Sequence, residues 1–171
     1  MIEPKSSASA LSIQPERPDQ PEVIALIAAL DTHAKSLYPP ESNHLVDLER
    51  LGAPVVTFLV ARMGGRAVGC GAILRDGRGW VEIKRMFVLS DERGRGIALR
   101  ILRALEAAAL SDRLSLARLE TGIHNVEALS LYRRAGYRDI PPFGDYAPDP
   151  LSVFMEKRLD ETHVSRSIAT P

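Results

Sequence analysis

Thiol chemistry is nearly absent from this chain: Cys70 is the single cysteine in 171 residues. That excludes an internal disulfide and any multi-cysteine metal site, and the apolar stretch AVGCGAIL around it reads as the setting of a small buried hydrophobe. Surplus charge is absent too. Lysine plus arginine and aspartate plus glutamate number 22 each, so no global field draws the protein to nucleic acid or anionic lipid, and any phosphate binding must be local. No apolar run is long enough to span a bilayer, and the N-terminal MIEPKSSASA lacks the apolar centre of a signal peptide, so a cytoplasmic protein is expected. His33, His44, His124 and His163 are scattered without metal-ligand spacing, and no metal is expected.

What is present is enough for one domain with a sizeable core. Polar or small residues without periodicity make 1–10 and 160–171 expected tails around a domain at 11–159. Helical spacing behind Pro21 predicts a first helix, PEVIALIAALDTHAKSLY. SNHLVDLERL reads as a second, short helix capped by Ser42 or Asn43. The period then changes. PVVTFLVARM, RAVGCGAILR and GWVEIKRMFVL are rich in strand formers, and the GG and RDGRG between them are turn signals for an antiparallel meander. A third helix starts near Gly96 and stacks Ala98, Ile101, Leu102, Leu105 and Ala109 on one side. LSLARLET is a strand, NVEALSLYRRAG a helix ending at Gly136, and LSVFMEKR a last strand. The order suits an α/β sandwich around one mixed sheet.

The stretch DERGRGIALRILRALEAAAL carries the chemistry. A helix N-terminus offers unpaired N–H groups and a partial positive charge to phosphate oxygens. Gly94 and Gly96 would let the backbone approach a ligand closely, and Arg93, Arg95 and Arg100 add full charges, so a di- or polyphosphate is expected. A P-loop would need a Gly-Lys-Ser/Thr ending, and a Rossmann turn a small residue where this chain has Leu99. Neither fits. On the glycines alone, a plain strand-to-helix turn remains open. In the strand VEIKRMFV, a period of two puts Glu82, Lys84, Met86 and Val88 on one face and Val81, Ile83 and Phe87 on the other.

Arg93-x-x-Gly96-x-Ala98, behind a strand and ahead of an amphipathic helix, resembles the acetyl-CoA pyrophosphate loop of the Gcn5-related N-acetyltransferases (GNAT). NVEALSLYRRAGYR resembles that family's second signature, and together the two cover residues 55 to 158. The resemblance implies a mixed, mostly antiparallel central sheet with helices on both faces, and acetyl-CoA as co-substrate. Backbone amides of Met86, Phe87 and Val88, the loop Arg93, Gly94, Arg95, Gly96, Ile97 and Ala98, and Asn125 and Ala128 would hold it. It also implies that Glu82 is the general base and Tyr132 the acid that protonates the departing thiolate.

The motifs PPESNH, EIKRMFV, LETG and PPFGDYAPDPLSVFMEK are similar to those of a subgroup of small bacterial members, some connected with indole-3-acetic acid. Glu41 and His44 in the first of these, with Phe143, Asp145 and Tyr146 in the last, are expected to bind the acceptor. The loops YPPESNH and PPFGDYAPDP are expected on opposite sides of one pocket above the end of the strand EIKRMFV. The implied activity is direct acetyl transfer to a small amine or amino acid in a ternary complex, with a second copy of the chain as a candidate partner. Peptide N-acetylation and a non-catalytic acyl-CoA sensor are the alternatives. Cys70 lies in a different strand from the phosphate turn, which gives an acetyl-cysteine intermediate no support.

Overall fold

The computed structural model describes residues 10–42, 44–75 and 77–160. The expected tails lie outside these, apart from Ala10 and Asp160. Strands β1 (Leu11–Pro15), β2 (Val56–Met63), β3 (Arg66–Arg75), β4 (Val81–Val88), β5 (Leu116–Gly122), β6 (Arg138–Ile140) and β7 (Ser152–Arg158) form one sheet in the order β1-β2-β3-β4-β5-β7-β6. Among the described residues, only the β4–β5 pair is parallel. Gly64 and Gly65, both at positive φ, turn the β2–β3 hairpin as the GG signal requires.

Helix α1 (Pro21–Leu37) carries Pro21 in its first turn and buries Val23, Leu26, Ile27 and Leu30, a stripe at helical spacing. It covers one sheet face, over Phe58, Val60, Cys70 and Ala72. Helices α3 (Ile97–Ser111) and α4 (Val126–Arg134) cover the other, where Ile101, Leu102 and Leu105 are wholly buried. A Cβ on Gly71 would come within 2.8 Å of Ile101, so the missing side chain is what lets α3 lie so close. Among the described residues no helix is long and apolar enough to cross a membrane.

Three details differ from the expectation. Strands β1 and β6 are additional; each is short and sits at a sheet edge, where one pairing partner and little burial leave a weak hydrophobic pattern. The second helix, α2, is confined to Leu48–Leu51 and capped by Asp47, whose side chain accepts from the Arg50 N–H at 2.8 Å. Ser42 instead ends a 3₁₀ turn at Pro40–Ser42, and Asn43 lies outside the described residues.

The third difference positions the site. Facing β3, the register of β4 shifts between Lys84 and Phe87, and Arg85 takes φ +58°. This is a β-bulge, and one extra residue inverts the alternation beyond it. Met86 therefore joins the core under α3, on the face opposite Glu82 and Lys84, and Phe87 lies towards α1. A common face for Glu82 and Met86 is corrected accordingly.

Candidate active site

Beyond Ile83 and Leu119 the ladder between β4 and β5 stops, although both strands run on, to Val88 and Gly122. The two part, and a cleft opens between them. Lys84, Arg85 and Met86 line it from β4, Glu120, Thr121 and Gly122 from β5, and Asn125, Ala128 and Tyr132 from α4 and its cap. Tyr38 and the segment His44–Val46 close its outer side.

The bulge at the cleft is braced from three directions. The buried Arg85 guanidinium pairs with Asp31 of α1 and donates to the Val46 carbonyl. The Cys70 thiol donates to the Arg85 carbonyl at 3.3 Å. Burial pushes this thiol up to about 12, so Cys70 is a packed donor and no nucleophile at neutral pH. Held this way, the bulge tolerates a left-handed arginine costing about 1 kcal/mol, and Met86 and Phe87 make no ladder pair with β5.

At the far end of β4 the chain makes a 3₁₀ turn at Ser90–Glu92 and enters α3. Gly94 and Gly96 take φ +74° and +75°. A Cβ on either would meet nothing within 4 Å, so the backbone conformation, rather than crowding inside the protein, calls for glycine. The first i to i−4 bond of α3 runs from Arg100 N–H to the Gly96 carbonyl at 3.2 Å. The amides of Ile97, Ala98 and Leu99 ahead of it are the free donors of a helix N-terminus. Arg93 Nε donates to the Val88 carbonyl at 3.1 Å, its Nη1 lies 3.4 Å from Glu127, and its guanidinium sits over the Phe87 ring. Arg95 pairs with Glu92 at 2.5 Å. Arg93 thus ties the turn to both β4 and the first turn of α4. Asn125 caps α4, its side-chain oxygen accepting from the Ala128 N–H at 3.4 Å.

Tyr132 reaches the cleft from the buried face of α4. Its hydroxyl makes no hydrogen bond to a described residue, and burial, with the Glu120 charge second, holds its pKa above that of an ordinary tyrosine.

Glu82 is not among the residues lining the cleft. It is buried behind them, its Oε1 3.0 Å from Lys84 Nζ and accepting from the Tyr146 hydroxyl. Lys84 also donates to that hydroxyl and, at 3.3 Å, to the His44 carbonyl. Burial, and then Glu82, raise the Tyr146 pKa, so the phenol stays protonated. The His44 ring meets the Tyr146 ring edge-on, with centroids 5.2 Å apart. The Asp149 carboxyl is lowered by the Leu151 N–H, which donates to it at 2.8 Å, and then by the Ser42 side chain. The loops carrying PPESNH and PPFGDYAPDP therefore meet each other over Glu82, which corrects their expected placement on opposite sides of a pocket. Of the acceptor candidates, His44 lines the cleft and Tyr146 stands behind Lys84. Phe143 is packed on Trp80 and Phe154, Asp145 is 90% exposed and pairs with Arg78 at 2.8 Å, and Glu41 is exposed outside the cleft.

Tyr38, which opens the loop YPPESNH, and Glu120 and Gly122, which lie in LETG, also line the cleft, although the sequence motifs assign none of them a site role. Tyr38 follows the last turn of α1 and accepts from the His124 N–H at 3.0 Å. Glu120 had a readable signal: β5 alternates buried Ala117, Leu119 and Thr121 with half-buried Arg118 and Glu120, which aims Glu120 away from the α3 core at the strand's C-terminal end.

Residues 24–137 match the model of the Acetyltransferase (GNAT) family. An IAA acetyltransferase of Azospirillum brasilense is 49% identical over 150 residues, covering 87% of this chain and 98% of its own. A Klebsiella pneumoniae structure assigned as an acyl-CoA N-acyltransferase superposes with a TM-score of 0.74 at 41% identity, covering 87% of this chain and 97% of that one. The PaiA N-acetyltransferase of Thermoplasma acidophilum, in complex with coenzyme A, shares the fold at a TM-score of 0.67 and 15% identity, covering 87% and 99%.

Proposed function

This chain belongs to the acetyltransferase (GNAT) family, and from that premise we propose that it moves the acetyl group of acetyl-CoA to the amine of a small molecule or amino acid, directly, in a ternary complex in the cytoplasm. The observation that carries the reading is the cleft between the parted strands β4 and β5, where Tyr132, Asn125 and Ala128 meet a bulged β4 that leads to an N-terminal turn of α3 rich in arginine and glycine. The coenzyme A in the fold's Thermoplasma representative supports the choice of co-substrate.

In this reading the amides of Ile97, Ala98 and Leu99, with Arg93 and Arg95, take the pyrophosphate. Asn125 and Ala128 flank the pantetheine arm. A backbone N–H of Met86 or Phe87, freed from β5, holds the thioester oxygen as charge builds on it. Tyr132 gives its proton to the departing sulfur, and its burial keeps that proton in place until it is needed. The family motif implies Glu82 as the base, but its Oε1 is held by Lys84 and Tyr146 behind the cleft, so it has no direct path to the acceptor. The meeting of the His44 and Tyr146 loops narrows the acceptor side and favours a small amine over a peptide. The test is thiol release from acetyl-CoA against a panel of amines, amino acids and peptides. Turnover with small amines is expected; tight acetyl-CoA binding with no transfer to any acceptor would leave a sensor.

A further inference from the structure

We infer that Glu120, with direct access to the cleft, is the carboxylate that takes the acceptor's proton, and that Glu82 serves to latch the acceptor loops; the inference rests on the acetyl-transfer reading above. Among the described residues lining the cleft, Glu120 is the only carboxylate. Ser152 Oγ of β7 donates to its Oε1 at 2.7 Å, which fixes the carboxyl group. Its Oε2 has no described partner, and Glu120 makes no ion pair among the described residues. An acceptor-only oxygen held in place and left open is what an incoming ammonium needs.

Its neighbours place it at the reacting end. The Glu120 charge acts on Tyr132 from α4, on Tyr38 beyond α1 and on Tyr146 from the last loop, in each case behind the larger effect of burial. The proposed acid and this carboxylate thus share one cleft. Glu82 is placed otherwise: its Oε1 is taken up by Lys84 and Tyr146, and both side chains would have to move before an amine reached it. A base must lie within hydrogen-bond reach of the proton it removes, directly or through one water, and Glu120 lines the cleft where Glu82 does not.

The proton balance closes. The acceptor arrives as an ammonium and hydrogen-bonds to Glu120 Oε2. Glu120 takes one proton, the freed lone pair of the nitrogen forms the C–N bond, and the C–S bond breaks with its electron pair on sulfur. Tyr132 protonates that sulfur. Of the two protons the nitrogen sheds, the first passes from Glu120 to solvent and the second restores Tyr132.

The experiment compares wild type, Glu120→Gln, Glu120→Asp and Glu82→Gln in thiol release with acetyl-CoA, across pH 6 to 9, against a panel of primary amines and amino-acid amides. Calorimetric titration with acetyl-CoA shows that each variant is folded. Glu120→Gln is expected to lower kcat/KM by about 10²–10⁴ below the amine's pKa, the usual worth of a positioned base. With the amides, whose α-amino groups titrate near about 8, that deficit should shrink as the pH passes their pKa and the substrate arrives neutral. Glu120→Asp should recover part of the loss, and Glu82→Gln should lose less than about tenfold, because it removes no group that touches the amine. Wild-type rates in Glu120→Gln, or a larger loss in Glu82→Gln, would overturn the assignment while leaving acetyl transfer intact. A wild type that acetylates no amine would sink the functional reading and this inference together.

Discussion

The hydroxyl of Tyr146 donates to Glu82 Oε1 across 64 residues of chain, and Lys84 binds both. Through Lys84 the contact also reaches the His44 carbonyl, so one buried carboxylate joins the β4 strand to the two loops on the acceptor side.

Glu82→Gln should loosen this junction more than it slows the chemistry. The substitution leaves the Lys84 ammonium, whose side chain is 11% exposed, without its counter-charge. Breaking a buried pair costs about 3–5 kcal/mol, and the lower end applies because Lys84 keeps two neutral acceptors. A fall in Tm of roughly 6–12 °C follows for a domain of this size. Calorimetric melting checks it; an unchanged Tm would show that the latch carries no stability.

Tyr132→Phe removes a hydroxyl with no described protein partner, so the fold and acetyl-CoA affinity should hold. Turnover should drop by about 10–100-fold, since a thiolate is a fair leaving group unaided. Burial raises the phenol's pKa in the folded protein, so the wild-type group stays protonated at every pH up to its ordinary value near 10 and beyond. The deficit should accordingly be flat from pH 6 to 9, in contrast with the shrinking deficit of Glu120→Gln. A pH–rate profile of each variant separates the two roles.

Gly96→Asp should abolish acetyl-CoA binding, because it puts an anion at the proposed phosphate site and a side chain on a residue at φ +75°. Arg93→Ala should weaken acetyl-CoA by about 1–3 kcal/mol, the cost of a lost charge-assisted hydrogen bond. It should also lower stability by about 1 kcal/mol, because Arg93 holds the Val88 carbonyl. Titration calorimetry and urea unfolding read the two effects separately, and undiminished acetyl-CoA binding by folded Gly96→Asp would refute the phosphate assignment.

Gly122→Ala should displace Tyr38, whose ring occupies the space a Cβ on Gly122 would need. Overpacking of this kind costs about 1–3 kcal/mol. Tyr38 lines the cleft and accepts from the His124 N–H, so the acceptor's KM should rise as well. Adding Tyr38→Ala should relieve the strain; a double variant no more stable than Gly122→Ala alone would show that the two positions do not couple.

Local pattern carried the main elements of the fold. The burial stripe of α1 and the α3 stack follow from a period of 3.6, and β3 at Arg66–Arg75 from a continuous run of small and apolar residues between turn signals, patterns that a contiguous stretch of chain displays by itself. The glycine turn ahead of α3 was legible for the same reason: a positive φ is met by the residue that adopts it. The edge strands β1 and β6 were not, because their identity lies in the partner they pair with.

The candidate site divides along the same line. Sequence by itself picked out Arg93 and Gly96 as residues suited to a phosphate, and the family resemblance of its motifs added Asn125 and Tyr132 as candidates. The tertiary structure decided which carboxylate faces the cleft. The bulge at Arg85 exists because Asp31, Val46 and Cys70, distant in sequence, brace it, and one inserted residue inverts the faces that strict alternation assigns. Likewise Tyr146 and Lys84 enclose Glu82, whereas Glu120 is left open where β5 parts from β4. Access of this kind depends on contacts between segments far apart in the chain, and no local period encodes them.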